Sequence, residues 1–308
     1  MGRYILSRIF QGVLVLIGAS LLIFVLVRLT GNPVVLLLPP DASDEDIARV
    51  TAQLGLDKPI YEQYAIFLGQ VAKGDWGNSL RSRRPVGDLI KERFWNSLQL
   101  GIMAVALSLV IGIPLGVLSA VRRGGFVDIA ARTLAMLGQS VPSFWLGIIF
   151  IAVFAGWLRI LPAARMGGPE NYVLPVLTLV LTGTLLSGVV RFVRSGMLEV
   201  LDAEYIKLAR AKGLSERVVV WKHAFRNAVI PLVTFLAFYV TLLVGGVSLI
   251  VETVFAWPGV GTLMNQAIFG RDFPITQAVT IIFVAGFVVA NILVDILYAY
   301  LDPRIRFS

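Results

Sequence analysis

Long apolar segments alternate along this chain with shorter segments that carry nearly all of its charge. A helix that crosses a bilayer needs roughly 20 mostly apolar residues. Six stretches approach or exceed this length: residues 10–27, 98–121, 133–158, 171–190, 227–251 and 273–301. The first five contain no Asp, Glu, Lys or Arg, and the sixth contains only Asp295. The pattern predicts an all-α membrane protein with six transmembrane helices.

The composition supports a membrane environment. Hydrophobic residues make up 57% of the chain and charged residues 15%, and the mean hydropathy is +0.82. Soluble domains are about one quarter charged. The net charge of +8 does not indicate a nucleic-acid binder, because the basic residues lie mainly between apolar blocks, where they set membrane orientation. With no cysteine and one histidine, His223, the chain cannot build disulfides, thiolate metal sites or multi-histidine sites.

The distribution of Lys and Arg predicts that both termini are cytoplasmic. With the N-terminus inside, the inner segments carry Arg3, Arg8, Arg122, Arg123, Arg132, eight basic residues within 191–226, Arg304 and Arg306. The two short outer loops carry only Arg159, Arg165 and Arg271. The long loop after the first helix is then outside. Its own charges do not argue against this, because loops longer than about 60 residues cross the membrane largely regardless of charge. We expect a tail and first helix in residues 1–28, a folded outer subdomain of short helices in residues 29–97, and a five-helix core in residues 98–308.

The inner loop 191–226 is the most informative segment. Residues up to Lys212 favour a helix, Gly213 suits a left-handed C-terminal cap, and Ser215 suits the N-cap of a second helix. The loop is therefore predicted to form two short basic helices joined by a sharp bend. The residues alone leave two interpretations open: a contact for a partner protein, or a solvated loop that binds anionic lipid.

A resemblance favours the first interpretation. The run Ala209-Arg-Ala-Lys-Gly-Leu-Ser-Glu-Arg217, followed by Lys222-His-Ala-Phe-Arg-Asn-Ala-Val-Ile-Pro231, resembles the conserved cytoplasmic loop of ATP-binding-cassette (ABC) importer permeases of the dipeptide, oligopeptide, nickel and glutathione family. Lys207 and Leu208 depart from the general importer motif, which has Glu and Ala there, while the later run fits the peptide branch. Further matches include Gly74-Asp-Trp-Gly77, Gly112-Ile-Pro-Leu-Gly116 and Trp257-Pro-Gly-Val-Gly261.

The resemblance implies a type I importer transmembrane fold in the bacterial inner membrane, with a periplasmic subdomain after the first helix. It implies a second permease subunit, two cytoplasmic ATPase subunits that bind ATP and Mg, and a periplasmic solute-binding protein. No cofactor and no enzymatic activity are expected on this chain, since it lacks P-loop, His-Glu-x-x-His and Gly-x-Ser-x-Gly motifs. The expected ATPase contact comprises Ala209, Arg210, Ala211, Lys212, Gly213, Leu214, Ser215, Glu216 and Arg217.

The expected solutes are peptides, either di- and oligopeptides or glutathione-like molecules. A permease for nickel or another small solute is the alternative within the family, and a secondary transporter working alone is less favoured. The segment Arg81-Ser-Arg-Arg-Pro-Val86 slightly favours glutathione or short peptides as the solute.

Several residues near the membrane helices are candidates for the solute path. Asn291 and Asp295 share one face of the sixth helix, and they either line the path or anchor neighbouring helices; the anchor is favoured. Glu252 either contacts the solute or binding protein, or fixes a local turn. Pro142, Gly245 and Gly246 loosen their helices, which serves either gating or packing.

Overall fold

The protein is helical throughout the part of the chain that the computed structural model describes, namely residues 2–29, 34, 38, 42–53, 55–244, 246 and 248–301. These residues form no β-strand and contain one isolated bridge, between Asn78 and Pro85. The predicted all-α class is therefore confirmed. Gly245 and the C-terminal arginines at 304 and 306 lie outside the described residues.

The helices are numbered in chain order. The first half contains α1 (Gly2–Leu29), α2 (Asp44–Gln53), α3 (Ile60–Ala72), α4 (Val86–Val121), α5 (Phe126–Ser140) and α6 (Ser143–Phe150), which continues as the π-helix π1 (Ile151–Trp157). The second half contains α7 (Glu170–Leu181), α8 (Leu185–Leu201), α9 (Glu204–Ala211), α10 (Glu216–Val218), π2 (Val219–Ala224), α11 (Phe225–Ala228), α12 (Ile230–Val244), α13 (Leu249–Val254), α14 (Val260–Phe269) and α15 (Phe273–Leu301).

Within the part of the chain that the structure describes, three helices, α1, α4 and α15, are long and apolar enough to cross a membrane unbroken. Three further helix pairs pass the same test but bend by 102° between α5 and α6, 51° between α7 and α8, and 50° within the segment Glu216–Leu243. Counting each bent pair as one span gives up to six by length and composition, which agrees with the number predicted.

The continuity predicted for several spans is wrong. The stretch 133–158 breaks because Val141 and Pro142 both have extended backbone, with ψ of 121° and 136°. A proline disfavours helical backbone in the residue before it, so the break follows from the sequence. The stretch 171–190 breaks at residues 182–184, where Gly183 has a φ of +68°. The stretch 227–251 is interrupted between α12 and α13, and α4 begins at Val86 rather than at residue 98.

The chain divides into two compact units. The first comprises Met1–Asn96, Val244–Leu249 and Pro258–Ser308. Its buried core is formed by α4, α14 and α15 through residues that include Val86, Leu89, Leu263 and Val279. Within this unit α3 packs on α1 through the ring of Phe24, which lies 5.1 Å from that of Tyr64 and 5.5 Å from that of Phe67.

The second unit comprises Ser97–Leu243 and Ile250–Trp257. Its core contains large, almost fully buried side chains from α4, α7, α8, α9 and α12 and from the segment that follows α13. They are Leu100, Leu174, Leu185, Met197, Ile206, Leu232 and Trp257. The loop predicted to contact a partner belongs to this unit.

The membrane sidedness of the chain is testable because it has no native cysteine. Ser43 and Ser215 are both exposed. Single cysteines introduced there should react with a membrane-impermeant maleimide from opposite sides of sealed vesicles, because the charge distribution places residues 28–97 outside and residues 191–226 inside. Reaction of both positions from one side would contradict the six-span topology.

Candidate functional site

The inner loop forms the bend that its sequence predicts. The helix α9 ends at Ala211, and Gly213 follows with a φ of +77°, in the left-handed region that favours glycine. Ser215 then occupies the N-cap position before α10, but its hydroxyl makes no capping hydrogen bond. Its carbonyl oxygen instead accepts hydrogen bonds from the backbone N–H groups of Val218 and Val219, at 2.9 and 3.0 Å.

Both arms of the bend are anchored in the second unit. Ile206 and Ala209 on α9, and Val219 and Val220 on π2, are buried in that unit's apolar core. A displacement of the bend must therefore also move the core residues, since packed interiors resist local deformation. Ala209 is one of the nine residues expected to contact an ATPase. In this structure it is buried in the core, with only 8% of its surface exposed, and it holds α9 in place.

The tip of the bend, residues 210–218, is exposed. Arg210 spans it by donating two hydrogen bonds to the carboxylate of Glu216, at 3.2 and 2.8 Å. This hydrogen bonding raises the pKa of Arg210 above its usual value. The apolar side chains of Leu208 and Leu214 are 62% and 40% exposed beside these charges. The tip therefore combines a closed ion pair, positive charge and uncovered apolar surface.

Asp295 lies opposite a basic residue of another helix. Its Oδ2 atom is 3.1 Å from Nε of Arg8 on α1. The two helices approach closely near this pair, since a Cβ atom added at Gly12 would lie 2.6 Å from Cγ1 of Val288. Asn291 is partly buried one turn before Asp295. This geometry is the one that an interhelix anchor requires.

Substitutions at Asp295 distinguish a role as an interhelix anchor from a role in lining the solute path. As an anchor, Asp295→Asn keeps a hydrogen-bond acceptor for Arg8 and should assemble and transport nearly normally. Asp295→Leu should lower the thermal stability of the purified complex by about 1 kcal/mol, because Arg8 is 40% exposed and water replaces part of the lost partner.

Arg8→Gln serves as the matched variant for this pair. The double variant should lose less stability than the sum of the losses of the two single variants, because both single variants remove the pair between Arg8 and Asp295. An Asp295→Asn protein that assembles fully but does not transport would instead identify a path residue.

The other candidate residues lie at breaks or inside the core. Pro142 stands at the 102° bend between α5 and α6. Gly246 has a φ of +92°, and a Cβ atom there would lie 2.6 Å from the Phe283 ring. Glu252 is fully buried in α13, and its carbonyl oxygen accepts a hydrogen bond from the N–H of Trp257 at 2.8 Å. The backbone of Glu252 thus takes part in the local turn, and its side chain is buried in this structure.

A buried ion pair was not singled out from the sequence. Asp128, on the first turn of α5, is fully buried and accepts two hydrogen bonds from Arg194 of α8, at 2.6 and 3.0 Å. The hydroxyl of Ser119 and the N–H of Gly124 also donate to it, at 2.6 and 2.9 Å. One sequence feature could have indicated this pair: Asp128 is the only acidic residue between Glu92 and Glu170.

Comparisons with known proteins match nearly the whole chain. Residues 112–307 match the family described as binding-protein-dependent transport system inner membrane component. Residues 1–101 match the N-terminal family of the same transport-system membrane components. The glutathione transport system permease protein GsiC of Escherichia coli (strain K12) is 39% identical over 308 residues, covering 99% of each chain. The protein of the same name from Salmonella typhi is 39% identical over 307 residues, again covering 99% of both.

Proposed function

Because this chain belongs to the family of binding-protein-dependent transport system inner membrane components, we propose that it forms part of the solute path of an ATP-driven importer for glutathione or similar short peptides. The solute class is supported by the full-length similarity to permeases named for glutathione transport.

The observation that carries the proposal is the bent loop around Gly213. Its arms are anchored in the core of the second unit, and its tip exposes apolar and basic side chains with no cover from the described part of this chain. A short rigid segment of this kind suits insertion into a groove on a cytoplasmic ATPase. Movement of the ATPase would then be passed to the membrane helices through α8 and α9.

The proposed assembly contains a second permease subunit, two ATPase subunits and a periplasmic solute-binding protein. ATP and Mg bind to the ATPase subunits in this scheme, and this chain contributes the path and the coupling loop. ATP binding closes the ATPases and displaces the loop, so that the helices open outward and accept solute from the binding protein. Hydrolysis then resets the helices.

Uptake into proteoliposomes tests this function. The reconstituted complex should accumulate radiolabelled glutathione only when ATP, the ATPase subunits and the binding protein are all present. Omission of the ATPase subunits is the control for a transporter that works alone. Glutathione uptake that persists without ATPase and ATP would overturn the proposal, and ATP-driven uptake of nickel but not of glutathione or dipeptides would overturn the solute class.

A further inference from the structure

A cavity of about 220 Å³ lies within the first compact unit, between the segment before α4, the start of α4 and the corner that joins α14 to α15. Its lining residues are Ser79, Arg81, Ser82, Leu89, Arg93, Leu263, Gln266, Ala267, Asp272 and Ile275. Two arginines, one glutamine and one aspartate therefore border a single small space.

The wall that carries Arg81 is held in place by a buried carboxylate. Asp272 is 2% exposed and accepts hydrogen bonds from the Ser79 hydroxyl at 2.6 Å and from the N–H groups of Leu80 and Arg81 at 3.2 and 3.3 Å. The hydroxyl oxygen of Ser79 also accepts a hydrogen bond from the N–H of Ser82, at 3.0 Å. These four bonds fix the loop, and three of them are donated to the Asp272 carboxylate.

The two arginines keep their charge available. Neither Arg81 nor Arg93 forms an ion pair with any residue that the structure describes, whereas Arg84 on the same loop pairs with Glu92. The Arg81 side chain crosses the end of α14, where a Cβ atom at Gly270 would lie 2.9 Å from Nη1 of Arg81. Glycine at this position thus leaves room for the guanidinium group beside the cavity.

We propose that this cavity is a carboxylate-binding site on the outer side of the membrane, and that it receives one carboxylate of a small anionic solute. Guanidinium groups present N–H donors in a planar fork that matches a carboxylate. Both walls belong to segments that the charge distribution places outside. The cavity is smaller than the roughly 300–1,000 Å³ of sites that enclose a whole ligand, so it suits one charged end of a solute. This inference rests on the proposed import of peptide-like solutes.

The charge of the cavity can be measured without transport. Gln266→Cys places a reactive thiol on the α14 side of the cavity in a chain that has no native cysteine. In membrane vesicles that contain the complete transporter, the ratio of its modification rates by an anionic sulfonatoethyl thiosulfonate and by the cationic trimethylammonium reagent should exceed the ratio that the same two reagents show with free cysteine in solution. Arg81→Gln and Arg93→Gln should each lower this ratio by about tenfold, because a lined cavity focuses the field of its charges.

Arg83→Gln is the matched control, since Arg83 is an exposed arginine of the same loop that does not line the cavity. It should change the ratio by less than about twofold. A ratio that is unaffected by Arg81→Gln and Arg93→Gln, or that responds equally to Arg83→Gln, would overturn the proposal.

Solute protection identifies the ligand. S-methylglutathione, which has no free thiol, should slow modification of the Gln266→Cys protein, and its diethyl ester should not. Protection by purified binding protein in the absence of solute would show a protein side chain in the cavity and overturn the solute assignment, as would equal protection by the ester. The assay requires neither ATP nor uptake, so its result is independent of whether the transport experiment succeeds.

Discussion

Replacing Asp128 with alanine should destabilise the protein by about 3 kcal/mol and remove most of it from the membrane. The substitution leaves the Arg194 guanidinium without the carboxylate that accepts two of its hydrogen bonds, and it also unpairs Ser119 and Gly124. Breaking a buried pair by removing one partner costs about 3–5 kcal/mol. We expect the lower end of this range because the Arg194 side chain is 20% exposed, so water can replace part of the lost interaction. Membrane level and the thermal midpoint of the purified complex measure the effect.

Arg132 provides the control for this prediction. Its Nε atom is 3.3 Å from the same carboxylate, but its side chain is 53% exposed. Arg132→Gln should therefore leave membrane level and thermal midpoint nearly unchanged, because exposed ion pairs contribute little. If Asp128→Ala were as stable as Arg132→Gln, the buried network would not be what joins α5 to α8.

The local features of the fold could be read from the sequence, and the breaks in the long helices could be read only in part. The left-handed Gly213 and the helices at Asp44–Gln53 and Ile60–Ala72 follow from residues close together in the chain. Pro142 marked a weak point in its helix, but nothing local set the size of the 102° bend. That angle depends on the neighbours against which α5 and α6 pack.

The side-chain clusters were beyond the reach of sequence patterns because their members are far apart in the chain. Arg194 was counted only as a cation of the inner loop, although it pairs with Asp128, 66 residues away. The partner of Asp295 is Arg8, which served only as an orientation signal. Arg81 and Gln266 meet around one cavity only because Asp272 ties the Ser79 loop to the start of α15.

Replacing Gly213 with valine should reduce ATP-dependent uptake severely while the complex remains assembled. The residue has a φ of +77°, where a β-branched side chain is strained by roughly 1–2 kcal/mol. No atom lies within 4 Å of the added Cβ position, so the substitution perturbs the backbone of the bend and no packed neighbour. Because the tip is exposed, the strain is relieved by opening the bend rather than by unfolding the core. Solute-stimulated ATP hydrolysis and uptake, both normalised to the amount of assembled complex, measure the loss.

Substitution of Gly74 provides a control that separates the effect of backbone strain from the effect of its location in the coupling loop. Gly74 has a φ of +75° and likewise no atom within 4 Å of a Cβ, but it lies in the segment predicted to be outside. Gly74→Val therefore introduces nearly the same backbone strain away from the coupling loop, and its uptake should stay close to that of the unaltered protein. Equal losses in both variants would indicate general destabilisation. Full uptake by Gly213→Val would mean that transport does not depend on the bend. A loss confined to Gly213→Val is the result expected if this bend transmits the movement of the ATPase to the membrane helices.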